Sequence, residues 1–402
     1  MDVLERFLNY VKIDTNSNDD NMECPSSRSQ WDLANMLVDE MKEIGIADAR
    51  VDEHCYVYGT IPATDETMPA IGLIAHMDTS SQVPGGPVKA RVIRYEGGDI
   101  CLNEEKQIVM REKDYETLKQ DRGSELVITD GNTLLGADDK AGIAAIMAAA
   151  ENLIKDGTRP HGKICLGFTP DEEVGRGADL FDVEHFGADF AYTVDGGDLS
   201  ELEYENFNAA SARVTVKGVS IHPGSAKNKM VNSITVAMEF NALLPAREIP
   251  ENTEGYEGFH LLNGITGDVS ETKMHYILRD HDLDKLNRKK EDFLKAAAFL
   301  NDRYGEKTVQ VELKNSYYNM RSLIEEDMSI VKRAEEAVKS VGLIPVACPI
   351  RGGTDGARLS YMGLKCPNLG AGGRNFHGVF EYLNADQLRL CVKVLEKIVT
   401  TK

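Results

Sequence analysis

The chemistry-bearing residues fall in short, separate stretches. His76-Met77-Asp78 places an imidazole and a carboxylate two residues apart. Gly136-Ala137-Asp138-Asp139-Lys140 pairs two acids, and Thr169-Pro170-Asp171-Glu172-Glu173 ends on two more. Asp195 precedes Gly196-Gly197, and His377 follows Gly372-Gly373-Arg374-Asn375-Phe376. Each has an ordinary reading. Acids at a helix start cap its free N–H groups, an acidic pair in an acidic chain is a solvated turn, and a lone histidine is more often a surface or core residue. Together they read differently. His76, Asp138, Glu173, Asp195 and His377 supply two imidazoles and three carboxylates with no thiolate, a set that suits two divalent first-row ions sharing one carboxylate. Zinc is the first expectation, and cobalt and manganese share these ligand types. Glu172 and Glu173 are adjacent like charges whose pKa values diverge unless a cation intervenes, so one can bind metal while the other handles protons. Asp78 can hold the ring of His76. Two further positions lie apart. His222, in Gly218-Val219-Ser220-Ile221-His222-Pro223-Gly224, is a turn histidine or an oxyanion donor; Arg351, before Gly352-Gly353, is a surface arginine or a bidentate carboxylate clamp.

The elements that must carry these groups are legible as short apolar runs. Ile71 to Ala75, Lys163 to Phe168 and Phe190 to Val194 read as strands buried on both faces, the signature of a parallel sheet. Each ends on acid–base residues, and α/β sheets form their sites at the carboxyl ends of strands. Helices over 141–155 and roughly 178–186 supply crossovers. The stretch from Pro84 to about Leu126 is a polar insert with strand-like pieces and no clear chemistry. Near Phe207 the pattern changes to period-two alternation, and the order β-α-β-β-α-β follows, a ferredoxin-like unit. Buried α/β grammar resumes after it. The expected division is therefore an α/β domain over 1–207 and 317–402 with a mostly parallel sheet, and an inserted α+β domain over 208–316.

Composition narrows the partners. With 45 basic and 66 acidic residues the net charge is −21, which opposes phosphate backbones and anionic membranes. No apolar run is long enough to span a bilayer. Seven scattered cysteines without a C-x-x-C pair read as reduced thiols, so a cytoplasmic location is expected.

The five ligand stretches, in this order and with these gaps, resemble those of the dinuclear-zinc M20 exopeptidases, the aminoacylase, carboxypeptidase and aminopeptidase group. The resemblance runs nearly end to end and includes Gly218–Gly224, Arg351–Leu359 and the inserted domain. It implies a phosphorylase/hydrolase-like zinc-peptidase domain with a lid that also serves dimerisation, and so a homodimer through the insert. It implies His76 and Asp195 on one zinc, Glu173 and His377 on the other, Asp138 as the bridge, and a cis bond from Asp138 to Asp139. Asp139 is then a spacer. Glu172 resembles the general base, Asp78 the residue orienting His76, His222 the lid histidine, and Arg351 a substrate-binding residue. The activity implied is release of the N-terminal residue from short peptides, tripeptides above all. Another hydrolase of the family (dipeptidase, carboxypeptidase or N-acyl amino acid deacylase) shares the same metal ligands. A non-catalytic metal- or peptide-binding protein on this scaffold would need the ligands but no base, and Glu172 argues against it.

Overall fold

The computed structural model describes residues 1–402. The chain divides into two compact units, one of 1–204, 320–348 and 354–402, the other of 205–319 and 349–353. The short segment Pro349–Gly353 thus groups with the second unit, not with the α/β domain where the sequence expectation put it. The reason is Arg351. It donates to the carbonyls of Gly255 and Glu257 at 2.8 and 2.9 Å and lies over the rings of Phe207 and Phe259.

In the first unit an eight-stranded sheet runs in the order 50–51, 57–61, 164–169, 71–76, 190–196, 368–370, 201–203, 346–347. Ile71–His76 pairs in parallel with Ile164–Thr169 and with Phe190–Gly196. Both faces of Ile71–His76 and Ile164–Thr169 are buried, as continuous apolar runs require. The sheet is mixed rather than mostly parallel. Val57–Ile61 pairs antiparallel with both Arg50–Val51 and Ile164–Thr169, and Glu201–Glu203 pairs antiparallel with Asn368–Gly370. The first two strands are joined by a short turn over 52–56, which allows only an antiparallel hairpin.

The helix Ala137–Asp156 is buried along almost its whole length. Its first half is rich in alanine, and Gly142 sets how closely it approaches the sheet: a Cβ there would stand 2.0 Å from the carbonyl oxygen of Val194. The helix start is thereby pressed against the strand that carries Asp195. The expected helix near 178–186 shrinks to Val183–Phe186, capped by Asp182 and ended by Gly187 at φ 65°. The polar insert is not featureless. Arg91–Arg94 and Glu125–Ile128 form an antiparallel sheet with Tyr382–Asn384 and Gly373–Arg374, over a core that includes Tyr95, Met110, Leu118 and Tyr382.

The second unit holds the β-α-β-β-α-β order expected from its sequence. Its strands lie in the sheet order 259–267, 271–280, 208–217, 309–317, all antiparallel. Ser233–Leu243 and Leu283–Tyr304 pack on one face around Phe240, Tyr276 and Phe293. No helix of the chain is long and apolar enough to cross a membrane.

Candidate metal centre

All five ligand candidates come together in the first unit. His76 closes its strand, Glu173 sits in the turn after the next, and Asp195 lies near the end of the third. Asp138 and Asp139 open the long helix and are joined by a cis peptide bond, as the family resemblance implied. His377 occupies the hairpin between Gly373–Arg374 and Tyr382–Asn384, with φ +62°, beside Asn375 at φ +55°. Asn375 closes that hairpin by donating its side-chain N–H to the carbonyl of Phe380 at 3.1 Å.

The Asp138 carboxylate divides between two groups. One oxygen is 2.8 Å from His76 Nε2, and the other is 3.3 Å from His377 Nε2. His76 Nε2 also lies 3.4 Å from Asp195, while His377 Nε2 lies 2.9 Å from Glu173. The ligand atoms of His76, Asp138 and Glu173 all lie within 4.8 Å of one another. Glu173 Oε1 is buried and has no hydrogen-bond partner, the condition of a ligand oxygen reserved for a cation. These residues fit a pair of metal ions.

The electrostatics agree. Burial opposes a charge on His76, but Asp195, Asp138 and Asp78 overcome it and hold the imidazole well above its ordinary pKa. Hydrogen bonds to Asp138 and Glu173 push His377 up to about 11. Burial, then the neighbouring Asp138, pushes Glu173 up to about 7, and burial pushes Asp195 up to about 6. Glu172 is driven well above the carboxylate range by burial and then by Asp195. Buried carboxylates here outnumber the imidazoles that face them, a surplus of negative charge that divalent cations relieve.

The surrounding residues refine the roles read from sequence. Asp78 is fully buried, and its two oxygens accept the backbone N–H groups of Glu172 at 2.9 Å and Glu173 at 3.1 Å. Its carboxylate is 3.4 Å from His76 Nδ1, but the nearer partner of that nitrogen is the Asp78 backbone carbonyl at 3.0 Å. Asp78 therefore anchors the Glu172–Glu173 turn, and its main chain orients the ring. Asp139, expected to be a spacer, ties the helix to the strand: it accepts from the backbone N–H of His76 at 3.2 Å and of Gly142 at 3.1 Å. It also meets His76 and Asp195 at ligand distance, yet its oxygens are engaged by these N–H groups.

Three further buried carboxylates went unread in the sequence. Asp171 takes up Ser26 and Gln30, fastening the loop before the second helix to the Glu172 turn. Asp355 accepts from the Thr169 hydroxyl at 2.7 Å, and burial pushes it up to about 7. Glu381 accepts from the backbone of Leu135, Gly136 and Asp138. The only linear signal for it is an acid four residues beyond His377.

His222 and Arg351 lie in the second unit. His222 is exposed, and its Nδ1 accepts from the Gly224 N–H at 3.2 Å. A neutral ring so held carries its proton on Nε2, the form that can donate to an anionic oxygen. Arg351 NH2 also meets Thr253, so its fork is engaged by main-chain carbonyls and one hydroxyl. A carboxylate clamp requires it to exchange some of these for substrate.

The chain is similar to known proteins along nearly its whole length. A model of the peptidase family M20/M25/M40 matches residues 118–401. Peptidase T of Alkaliphilus oremlandii (strain OhILAs) is 53% identical over 401 residues, covering 99% of this chain and 98% of that protein. Peptidase T of Bacillus subtilis (strain 168) is 50% identical over 399 residues, covering 99% and 97%. In solved structures the fold is similar to that of aminopeptidase PepT from Bacillus cereus ATCC 10987, with TM-score 0.78, 21% identity and coverage of 99% and 97%. It is also similar to a tripeptidase from Staphylococcus aureus subsp. aureus mu50, with TM-score 0.79, 24% identity and the same coverage. With half of its residues shared along nearly its whole length, the chain belongs to the M20/M25/M40 peptidase family, beside the relatives named Peptidase T, and is a metal-dependent peptidase.

Proposed function

We propose that the protein is an aminopeptidase that releases the N-terminal residue of short peptides, tripeptides above all. The observation that carries this reading is the identity of about half the chain, over nearly its whole length, with relatives named Peptidase T; the division of Asp138 between two imidazole–carboxylate pairs, His76 with Asp195 and His377 with Glu173, supports the metal-dependent hydrolysis. In the proposal His76 and Asp195 would hold one zinc ion and His377 and Glu173 the other, with Asp138 serving both. When bound, the pair of ions lowers the pKa of water toward neutrality and polarises the scissile carbonyl. Cobalt or manganese can serve the same ligands.

The chain's own groups do the rest. Glu172 takes the proton of the attacking water and passes it to the leaving amine, a transfer that needs a carboxyl whose pKa lies above the ordinary carboxylate range. Burial in this site supplies that shift. Asp78 holds Glu172 in place through the two N–H bonds it accepts. His222 donates from Nε2 to the developing oxyanion, and Arg351 contributes to substrate binding once it exchanges some of its present partners. In this reading the second unit, ferredoxin-like in strand order, acts as a lid and carries a homodimer contact. We place the protein in the cytoplasm on its reduced-cysteine pattern.

The experiment is turnover of a free tripeptide after chelation and zinc add-back, beside the matching dipeptide and the N-acetylated tripeptide. Zinc-dependent release of the first residue, lost on N-acetylation, is expected. Equal or faster cleavage of the N-acetylated substrate would favour a deacylase or carboxypeptidase of the same family.

A further inference from the structure

Glu381 is 2% exposed and is not one of the ligands. One of its oxygens accepts the N–H groups of Leu135 at 2.7 Å and Gly136 at 2.9 Å, and the other accepts that of Asp138 at 3.1 Å. A carboxylate accepting from three backbone N–H groups makes charge-assisted bonds, stronger than neutral ones. These three amides belong to the turn that delivers Asp138, and Gly136 sits there at φ +81°. Glu381 itself ends the hairpin that carries His377. Its own N–H donates to the Gly378 carbonyl at 3.2 Å, and the next residues, Tyr382–Asn384, pair with Leu126–Ile128. One side chain therefore fastens the turn of Asp138 to the hairpin of His377, although the two are far apart in sequence.

We propose that Glu381 is a positioning residue that sets the distance between Asp138 and His377, and so the affinity of the metal ion those two share with Glu173. The inference rests on the ligand roles assigned above. A ligand that misses its ion by a fraction of an ångström binds less tightly, and loss of partners that orient ligands costs about 10–100-fold in metal affinity. An amide in place of the carboxylate makes the point sharply. In Glu381→Gln one acceptor oxygen becomes an NH2 that faces backbone donors, so either Asp138 or the Leu135–Gly136 pair loses its acceptor.

The test is zinc titration of the chelated protein against a competing chelator, which reports both dissociation constants, on wild type, Glu381→Gln, Glu381→Asp and the control His377→Ala. The thermal midpoint of each chelated protein is measured in parallel. Wild type is expected to bind two ions and His377→Ala to lose one. Glu381→Gln is expected to weaken the ion on His377 and Glu173 by about 10–100-fold and the other ion, which shares Asp138 but not His377, by a smaller factor, so that the ratio of the two constants shifts. Glu381→Asp, which keeps the charge but falls one methylene short, is expected to shift it the same way by a smaller factor and stands in if the Gln variant does not fold. A role in stability alone lowers the thermal midpoint and leaves the ratio unchanged, and that result overturns the proposal. If His377→Ala keeps both ions, the ligand assignment itself fails and the proposal falls with it.

Discussion

Replacing Asp78 by alanine separates two jobs that the sequence motif merges. A histidine and an aspartate two residues apart suggest that the carboxylate steers the metal-binding ring. In the structure the ring nitrogen is nearer the Asp78 main-chain carbonyl, at 3.0 Å, and the carboxylate holds the N–H groups of Glu172 and Glu173. Asp78→Ala keeps the first contact and removes the second. Each buried N–H left without an acceptor costs about 1–3 kcal/mol, so the turn loses about 2–6 kcal/mol of local support. A general base displaced by about 1 Å costs on the order of 100-fold in rate. Zinc-saturated Asp78→Ala is therefore expected to lose about 100–1,000-fold in kcat on a tripeptide, since the adjoining ligand Glu173 shifts as well. The affinity of the ion on His76 and Asp195 should change by less than about tenfold, the low end of what losing an orienting partner costs. Metal titration and saturation kinetics on the same preparation measure both. The reasoning is refuted if zinc affinity collapses while the zinc-saturated kcat stays near wild type, for then the carboxylate steers the ring and the turn stands without it.

Glu172→Ala should leave two zinc ions bound and reduce kcat by about 100–10,000-fold, the usual span for a general base; near-normal turnover would sink the assignment. Asp138→Ala should weaken both ions, read as metal content after dialysis, because the bridge serves each. Gly142→Ala puts a Cβ 2.0 Å from the Val194 carbonyl, and a backbone atom cannot swing aside; a loss of about 1–3 kcal/mol or more is expected in a denaturant melt of the chelated protein. Far from the metals, burial opposes the charge on Glu151, but Lys155, Arg6 and the N-terminal amine bring its pKa down to about 2. A depressed carboxylate stabilises the fold above its unfolded pKa and loses that contribution as pH falls from about 4.5 toward 2. With Lys155 68% exposed, salt screening reduces the effect to the order of 1–2 kcal/mol. Glu151→Gln should lower the thermal midpoint of the chelated protein at pH 7, and the gap to wild type should close near pH 2.

The candidate ligands other than His377 could be picked out because each stands where a strand or helix pattern breaks. Ile71 to Ala75 and Phe190 to Val194 are largely apolar runs, so the polar residue that follows each, His76 and Asp195, is conspicuous. The groups that hold these candidates were not legible, because they act on main chain. Asp139 looked like a spacer since its partner, the His76 N–H, lies 63 residues away. Glu381 works through three backbone amides and needs no companion side chain to betray it. The polar insert hid its sheet for a related reason: Glu125–Ile128 takes a partner from Tyr382–Asn384, and pairing across such a gap leaves no local period. Arg351 carried a plausible motif, but ring faces and carbonyls of its neighbours, invisible in a one-dimensional pattern, decide where it rests.

The main sheet also dictates when the enzyme can exist during its own synthesis. Asn368–Gly370 lies between Phe190–Gly196 and Glu201–Glu203, two strands made close together in time. Until the ribosome reaches that late strand, the edge of Phe190–Gly196 beside Asp195 has no partner. At about 5–20 residues per second, the interval is roughly ten to thirty seconds. During it the nascent chain carries His76, Asp138, Glu173 and Asp195 but not His377, on a sheet with an open hydrogen-bonding edge. Such an edge recruits other strands. A half-made chain is therefore at once short of one candidate ligand and prone to aggregation, and both conditions end together when the strand and the hairpin behind it emerge.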